Sequence, residues 1–116
     1  MRILVCGGRD FTDYEFLSGY LSSLTKPFFN TVIIHGNAVG ADLLAGRWAM
    51  QNKVTQVPFP ADWNGLGRKA GPIRNQQMLD EGKPDVVIAF PGGRGTADMV
   101  SRARKAGVEV IEVTYP

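Results

Sequence analysis

The chain has 116 residues, 44% of them hydrophobic and 21% charged, with a formal net charge of +2. That is enough for one domain with a real core, spanning residues 1–116, and the composition is ordinary for a globular protein. The small charge gives no argument for nucleic-acid binding, the single cysteine, Cys6, excludes an intramolecular disulfide, and the apolar run at the N-terminus is too short for a signal peptide or membrane span, so a cytoplasmic protein is expected.

Arg2–Cys6 is a short apolar run closed by Gly7-Gly8 and reads as strand one. Asp10 to Thr12 can cap a helix over about residues 13–25, where Tyr14, Leu17, Leu21 and Leu24 recur at helical spacing and Pro27 ends the run. Residues 31–35 form strand two. The small-residue turn from Gly36 through Asn37 and Gly40 leads into a helix over about residues 41–52, with Leu44, Trp48 and Ala49 on its buried face. Residues 54–57 form strand three. Residues 58–70 have no clear period; a loop this long in a compact domain is often functional, and it also reads as a surface cover strand or a helical turn. Gly71-Pro72 starts a third helix, with Ile73, Met78 and Leu79 along one side and Gly82 as its stop. Val86 to Phe90 is apolar without alternation, as expected of a strand covered on both faces. Pro91-Gly92-Gly93-Arg94-Gly95 is a glycine turn; Thr96 and Asp98 open a fourth helix over residues 96–106, and residues 108–113 form strand five.

Strands alternating with helices imply an α/β fold: a doubly wound, five-stranded parallel sheet in the order 3-2-1-4-5, with helices on both faces. Ligands of such sheets sit outside the carboxyl ends of the strands, where the strand order reverses. The reversal falls between strands one and four. Gly7-Gly8-Arg9-Asp10, Gly36-Asn37 and Pro91-Gly92-Gly93-Arg94-Gly95 therefore converge on one crevice, and two of these turns carry an arginine. A glycine turn feeding a helix N-terminus offers N–H groups and positive dipole to an anion, usually a phosphate; each turn alone also reads as a plain strand-to-helix connection.

The dinucleotide fingerprint G-x-G-x-x-G is absent and strand two ends in His35-Gly36 rather than an acid, which disfavours NAD. No resident cofactor is implied. The lone histidine supports no metal site, and packing is its better reading. Cys6 reads as core. Arg9 and Arg94 suit phosphate or carboxylate. Arg74 and Asn75 fall in the first turn of the third helix, where a cation opposes the dipole and anion binding supplies a reason; a nearby buried aspartate is the alternative partner. Asp42 and Asp98 each fall in a helix first turn, where dipole compensation explains them, yet either could hold a ribose hydroxyl or act as an acid or base. Trp63 either stacks on a base or anchors its loop.

Four motifs in order, Cys6-Gly7-Gly8-Arg9-Asp10, Gly36-Asn37-Ala38-Val39-Gly40-Ala41-Asp42, Gly71-Pro72-Ile73-Arg74-Asn75 and Pro91-Gly92-Gly93-Arg94-Gly95-Thr96, resemble the SLOG superfamily, which takes in Smf/DprA and the cytokinin-activating LOG enzymes. The nearest branch is the small YspA type, common in bacteria and phages. The resemblance implies a Rossmann-like domain for a nucleotide or nucleotide-derived small molecule, with self-association frequent among relatives. LOG enzymes cleave the N-glycosidic bond of a nucleoside monophosphate and carry R-K-x-x-M and P-G-G-x-G-T-x-x-E. Arg74 matches their catalytic arginine, but the catalytic glutamate position is Met99, so hydrolysis would need Asp98, Asp42 or Asp62 in its place. Smf/DprA proteins bind single-stranded DNA; this near-neutral chain has no basic run interleaved with aromatics, which argues against that use.

The sequence thus favours a binding module, acting as a sensor or a sponge. Its phosphate would lie on Gly92, Gly93, Gly95 and Thr96, neutralised by Arg9, Arg74 and Arg94, with Asp42 on the ribose. A nucleotide N-glycosidase using Arg74 and Asp98 is the alternative, and single-stranded nucleic-acid binding a weaker one.

Overall fold

A computed structural model of the protein describes residues 1–28 and 30–116. Its sheet has the order β3-β2-β1-β4-β5, with every pairing parallel. The strands are β1 (Arg2–Cys6), β2 (Val32–His35), β3 (Thr55–Pro58), β4 (Val86–Ala89) and β5 (Glu109–Glu112). The longer helices are α1 (Tyr14–Thr25), α2 (Ala41–Gln51), α4 (Ala70–Asp80) and α5 (Arg94–Lys105). A four-residue helix, α3 (Trp63–Leu66), and a 3-10 turn over Gly67–Lys69 lead into α4.

The central strand β1 pairs with β2 and β4, and its residues alternate between two cores. Ile3 and Val5 join Ile33, Val86, Ile88 and Phe90 against Leu17 and Leu21 of α1 and Ala45, Trp48 and Ala49 of α2. Leu4 and Cys6 join Ile34, Val87 and Ala89 against Met78 and Leu79 of α4 and Met99, Val100 and Ala103 of α5. Helices therefore cover both faces. The switch between faces occurs at β1 and β4, so the loops after these two strands meet at the carboxyl edge of the sheet, the place where ligands of such sheets sit.

Local chemistry accounts for the element ends. Asp13 caps α1, its Oδ1 accepting from Phe16 N–H at 3.0 Å. Phe11, in the loop after β1, packs its ring 5.3 Å from Phe90 and 5.2 Å from Tyr115, anchoring that loop over the end of β4.

Several expectations shift. The fourth helix begins at Arg94, because Gly93 takes the cap position and its carbonyl accepts from Ala97 N–H at 3.0 Å. Arg94, Gly95 and Thr96 thus belong to a helical first turn, and Asp98 lies beyond it, so dipole compensation does not explain Asp98. Part of the segment 58–70 is helical, since Asp62 caps α3 by accepting from Gly65 N–H at 2.9 Å. The third helix begins at Ala70, which places Arg74 past its first turn. β3 runs one residue later than expected. Leu24 and Ile73 face solvent rather than the core, at 39% and 47% exposure.

Candidate functional site

Backbone contacts tie the glycine turns together. Gly8 N–H donates to Pro91 O at 2.8 Å, and Gly8 O accepts from Ala41 N–H at 3.2 Å. A Cβ at Gly7 would stand 2.6 Å from Ala41 Cβ, and one at Gly8 would stand 3.0 Å from Gly92 Cα. Gly40, at φ +97°, would drive a Cβ into Gly8 O; Gly92 would drive one into Thr96 Oγ1 and to 2.7 Å from Gly8 N. These four glycines are required by the fold's own close approach. Gly93 and Gly95 differ, because a Cβ at either meets nothing within 4 Å. They stand at the N-terminus of α5, which has no side-chain cap and no acid in its first turn. Its free N–H groups and positive dipole face the open crevice edge.

Asp42 and Arg74 occupy the floor beside this turn. Asp42 is buried, and its Oδ2 accepts from Gly36 N–H at 3.0 Å and Ala38 N–H at 3.4 Å. Arg74 Nη1 donates to Gly36 O at 2.5 Å, so the Gly36 peptide lies between carboxylate and guanidinium. Burial pushes the Asp42 carboxyl above its ordinary range, against the backbone donors and the charge of Arg74. Burial likewise pulls Arg74 down; Asp42 opposes that, and Arg9 adds to it by repulsion. Asn37, at φ +57°, donates its N–H to His35 Nδ1 at 3.0 Å. Nδ1 is thus an acceptor, which leaves Nε2–H to donate to Gln56 Oε1 at 2.8 Å. His35 is buried and braces the Gly36 turn from beneath.

Asn75 joins this floor to the glycine turn. Its Oδ1 accepts from Arg74 Nε at 3.0 Å, while its Nδ2 donates to Gly95 O at 3.3 Å and Asp98 Oδ2 at 3.0 Å. Asp98 Oδ2 also accepts from Arg102 Nε at 2.9 Å. Burial alone would raise the Asp98 carboxyl, but Asn75, Arg102 and the charge of Lys105 hold it below its ordinary value. Asp98 therefore stays ionised in a polar cross-brace between α4 and α5. Met99, at the family's glutamate position, is 1% exposed and packs in the core between those helices.

The structure brings Gly7, Gly8, Gly36, Gly40, Asp42, Arg74, Asn75, Pro91, Gly92, Gly95, Thr96 and Asp98 into one connected neighbourhood. Asn37 turns its backbone toward His35. Arg94 is exposed in the first turn of α5 and makes no side-chain hydrogen bond among the described residues. Arg9 is exposed, with its guanidinium 5.8 Å from the centroid of the Trp63 ring. The sequence left Trp63 open and gave no sign of Gln76 or Arg102, which extend the polar chain away from the crevice. Arg102 Nη1 donates to Gln76 Oε1 at 3.1 Å along the outer α4/α5 groove. That groove holds a cavity of about 520 Å³. Among the described residues no cluster of His, Cys, Asp or Glu could hold a metal, and no helix is long and apolar enough to cross a membrane.

The chain is 39% identical over 118 aligned positions to the Gene 61 protein of Mycobacterium phage D29, covering 95% of this chain and 94% of that protein. No solved structure matches. Residues 1–65, which carry the first two glycine turns and Asp42, match the family described as YspA, cpYpsA-related SLOG. The match spans more than half of the chain, and the sheet order and converging turns are those its motifs imply. The chain belongs to the YspA, cpYpsA-related SLOG family.

Proposed function

We propose that the crevice binds a nucleotide or nucleotide-derived phosphate ligand, and that the protein acts as a sensor or sequestering module. One observation carries this reading. The charge of Arg9 acts on Arg74, and neither is within salt-bridge distance of a carboxylate among the described residues. Two like charges facing one crevice, beside an uncapped helix N-terminus, favour an anion between them. The phosphate rests on Gly92, Gly93, Gly95 and Thr96, with Arg74 and Arg94 as its direct counter-charges, while Arg9, over the Trp63 ring, adds positive field from the rim. Asp42 takes a ribose hydroxyl through Oδ1, since Oδ2 is engaged by the Gly36 and Ala38 N–H groups. Family membership supports a nucleotide-related ligand.

The test is a thermal-shift screen of nucleoside monophosphates, cyclic nucleotides and ADP-ribose, with product analysis of each hit. A ligand that binds only the folded state adds about 2.7 kcal/mol at a hundred times its Kd. A shift with intact ligand is expected. Absence of any shift at millimolar concentration overturns the reading.

A second reading, nucleotide N-glycosidase activity, has one observation in its favour: Asp42 is a buried carboxyl raised by its surroundings, as a general acid must be, beside Arg74. Against it stand the core position of Met99 and the paired state of Asp98. Released base or ribose 5-phosphate in the screen, abolished by Asp42→Asn, would establish it.

A further inference from the structure

Trp63 stands beside the loop after β1, with the Arg9 guanidinium over its ring. Trp63 lies on α3, where Asp62 holds the helix start, and it is 48% exposed. Its indole edge lies against Gly71 in the first turn of α4; a Cβ at Gly71 would stand 3.2 Å from Trp63 Cη2. Gly71 is one turn before Arg74, so the ring stands beside the helix that supplies the floor guanidinium. Arg9, from the loop after β1, stands over the ring.

The spacing of that pair is informative. Arg47 lies 3.9 Å above the Tyr14 ring, a closed stack. Arg9 lies 5.8 Å from the Trp63 centroid, too far for a closed stack. A planar ring held between the two needs about 7 Å, twice the ~3.5 Å contact distance of carbon atoms. Arg9 ends an exposed side chain and need withdraw by only about an ångström to admit one. Trp63 in turn is held in place by Gly71 and has a large exposed area.

We propose that Trp63 and Arg9 form an aromatic–guanidinium clamp for the base of the ligand, so that the crevice selects nucleobase-containing phosphates over simple sugar phosphates. The clamp rests on the proposed phosphate site, and it adds the chemistry of the ligand's far end. Because every base has a π-face, the clamp confers a demand for a base rather than for a particular base.

The test uses the full chain with the five common nucleoside monophosphates, ADP-ribose and ribose 5-phosphate as probes. Thermal shift reads binding and intrinsic fluorescence reads stacking. Trp48, the other indole, is buried and hydrogen-bonded to Ser22 Oγ at 3.0 Å, so fluorescence quenched by a bound base reports on Trp63. At least one nucleotide should raise Tm and quench the fluorescence, whereas ribose 5-phosphate should bind more weakly and leave it unchanged. Trp63→Ala should weaken nucleotide binding by about 5- to 150-fold and leave ribose 5-phosphate affinity alone. Trp63→Phe should recover most of the loss and remove the quench, which guards against a folding artefact in the alanine variant. If nucleotides and ribose 5-phosphate shift Tm alike, and Trp63→Ala changes neither, the clamp is wrong while the phosphate site stands. If no probe shifts Tm, the phosphate site falls and the clamp falls with it.

Discussion

Gly95→Ala separates a glycine kept for a ligand from one kept for the fold. Gly95 is the second residue of α5, its backbone is helical, and a Cβ there meets nothing within 4 Å. Nothing in the protein itself excludes alanine. Alanine is the better helix former and narrows the unfolded ensemble, so the substitution should stabilise by about 0.4–1 kcal/mol. For a domain of this size that is a rise in Tm of about 1–5 °C. The Cβ would also project beside the free N–H groups of the first turn, where an anion would sit. Affinity for a nucleoside monophosphate should therefore fall by about tenfold or more, the equivalent of losing one charge-assisted hydrogen bond. Differential scanning fluorimetry of variant and parent, with and without ligand, reads both quantities. A lower Tm without ligand would refute the packing argument. A raised Tm with unchanged affinity would refute the location of the anion.

The remaining predictions concern other parts of the neighbourhood. Gly40→Ala should lose about 2–5 kcal/mol in urea unfolding, because φ +97° is strained for alanine and its Cβ would strike Gly8 O; a loss under 1 kcal/mol would show that the two turns separate easily. Cys6, buried and pushed up to about 12 first by burial and then by the charges of Asp42 and Glu112, should be silent to an aromatic disulfide reagent at about pH 8 until the protein unfolds. Met99→Glu should destabilise by about 3 kcal/mol or more, because it buries a carboxylate in the α4/α5 core, and should not create hydrolysis. Turnover in that variant would show that position 99 reaches the crevice. Asp42 has a raised folded pKa, so its contribution to stability is full below its ordinary 3.8 and is lost as pH rises through the folded value. Asp42→Asn keeps an acceptor for Gly36 N–H, so its stability relative to the parent should grow from about pH 4 to about pH 7 in urea melts; a variant less stable than the parent at about pH 7 would show that Arg74 needs the charge more than burial opposes it.

The sheet order was readable because the five apolar runs alternate with four helical ones and because right-handed crossovers leave few arrangements. The meeting of the glycine turns at the carboxyl edge followed from that order. Other features were hidden for physical reasons. α3 has four residues, too few for any period to show, and it owes its existence to the Asp62 cap. The start of α5 at Arg94 was obscured because glycine reads as loop, although Gly95 is helical. Asp98 read as a first-turn acid. Its true environment is Asn75 and Arg102, one from another helix and one a turn later on its own. Spacing within one helix cannot show a partner on another. Trp63 was legible as an aromatic in an irregular segment, but only the fold brings it to Arg9, since one follows β3 and the other β1, with β2 between them in the sheet.

The distribution of unfavourable features supports an anion in the crevice independently of the motifs. Burial disfavours the charged forms of both Asp42 and Arg74, raising one and lowering the other, and the Gly36 peptide lies between them. A direct pair would have offset more of that desolvation. Arg9 adds a like charge on the Arg74 side. The N-terminus of α5 adds uncapped N–H groups with no acid nearby, and Gly95 keeps that end open where alanine would stabilise it. Of these features, the open glycine at the α5 start is the one whose replacement by alanine the packing leaves room for. Arg74, Arg9 and the α5 N-terminus act in the same sense, adding positive potential at one point of the sheet edge, which Asp42 offsets only in part. A phosphate placed there would reverse the sign of the Arg9–Arg74 contribution and supply acceptors to the open N–H groups. These local costs are consequently the same interactions that binding would turn favourable, which is why the stabilising variants are expected to bind less tightly.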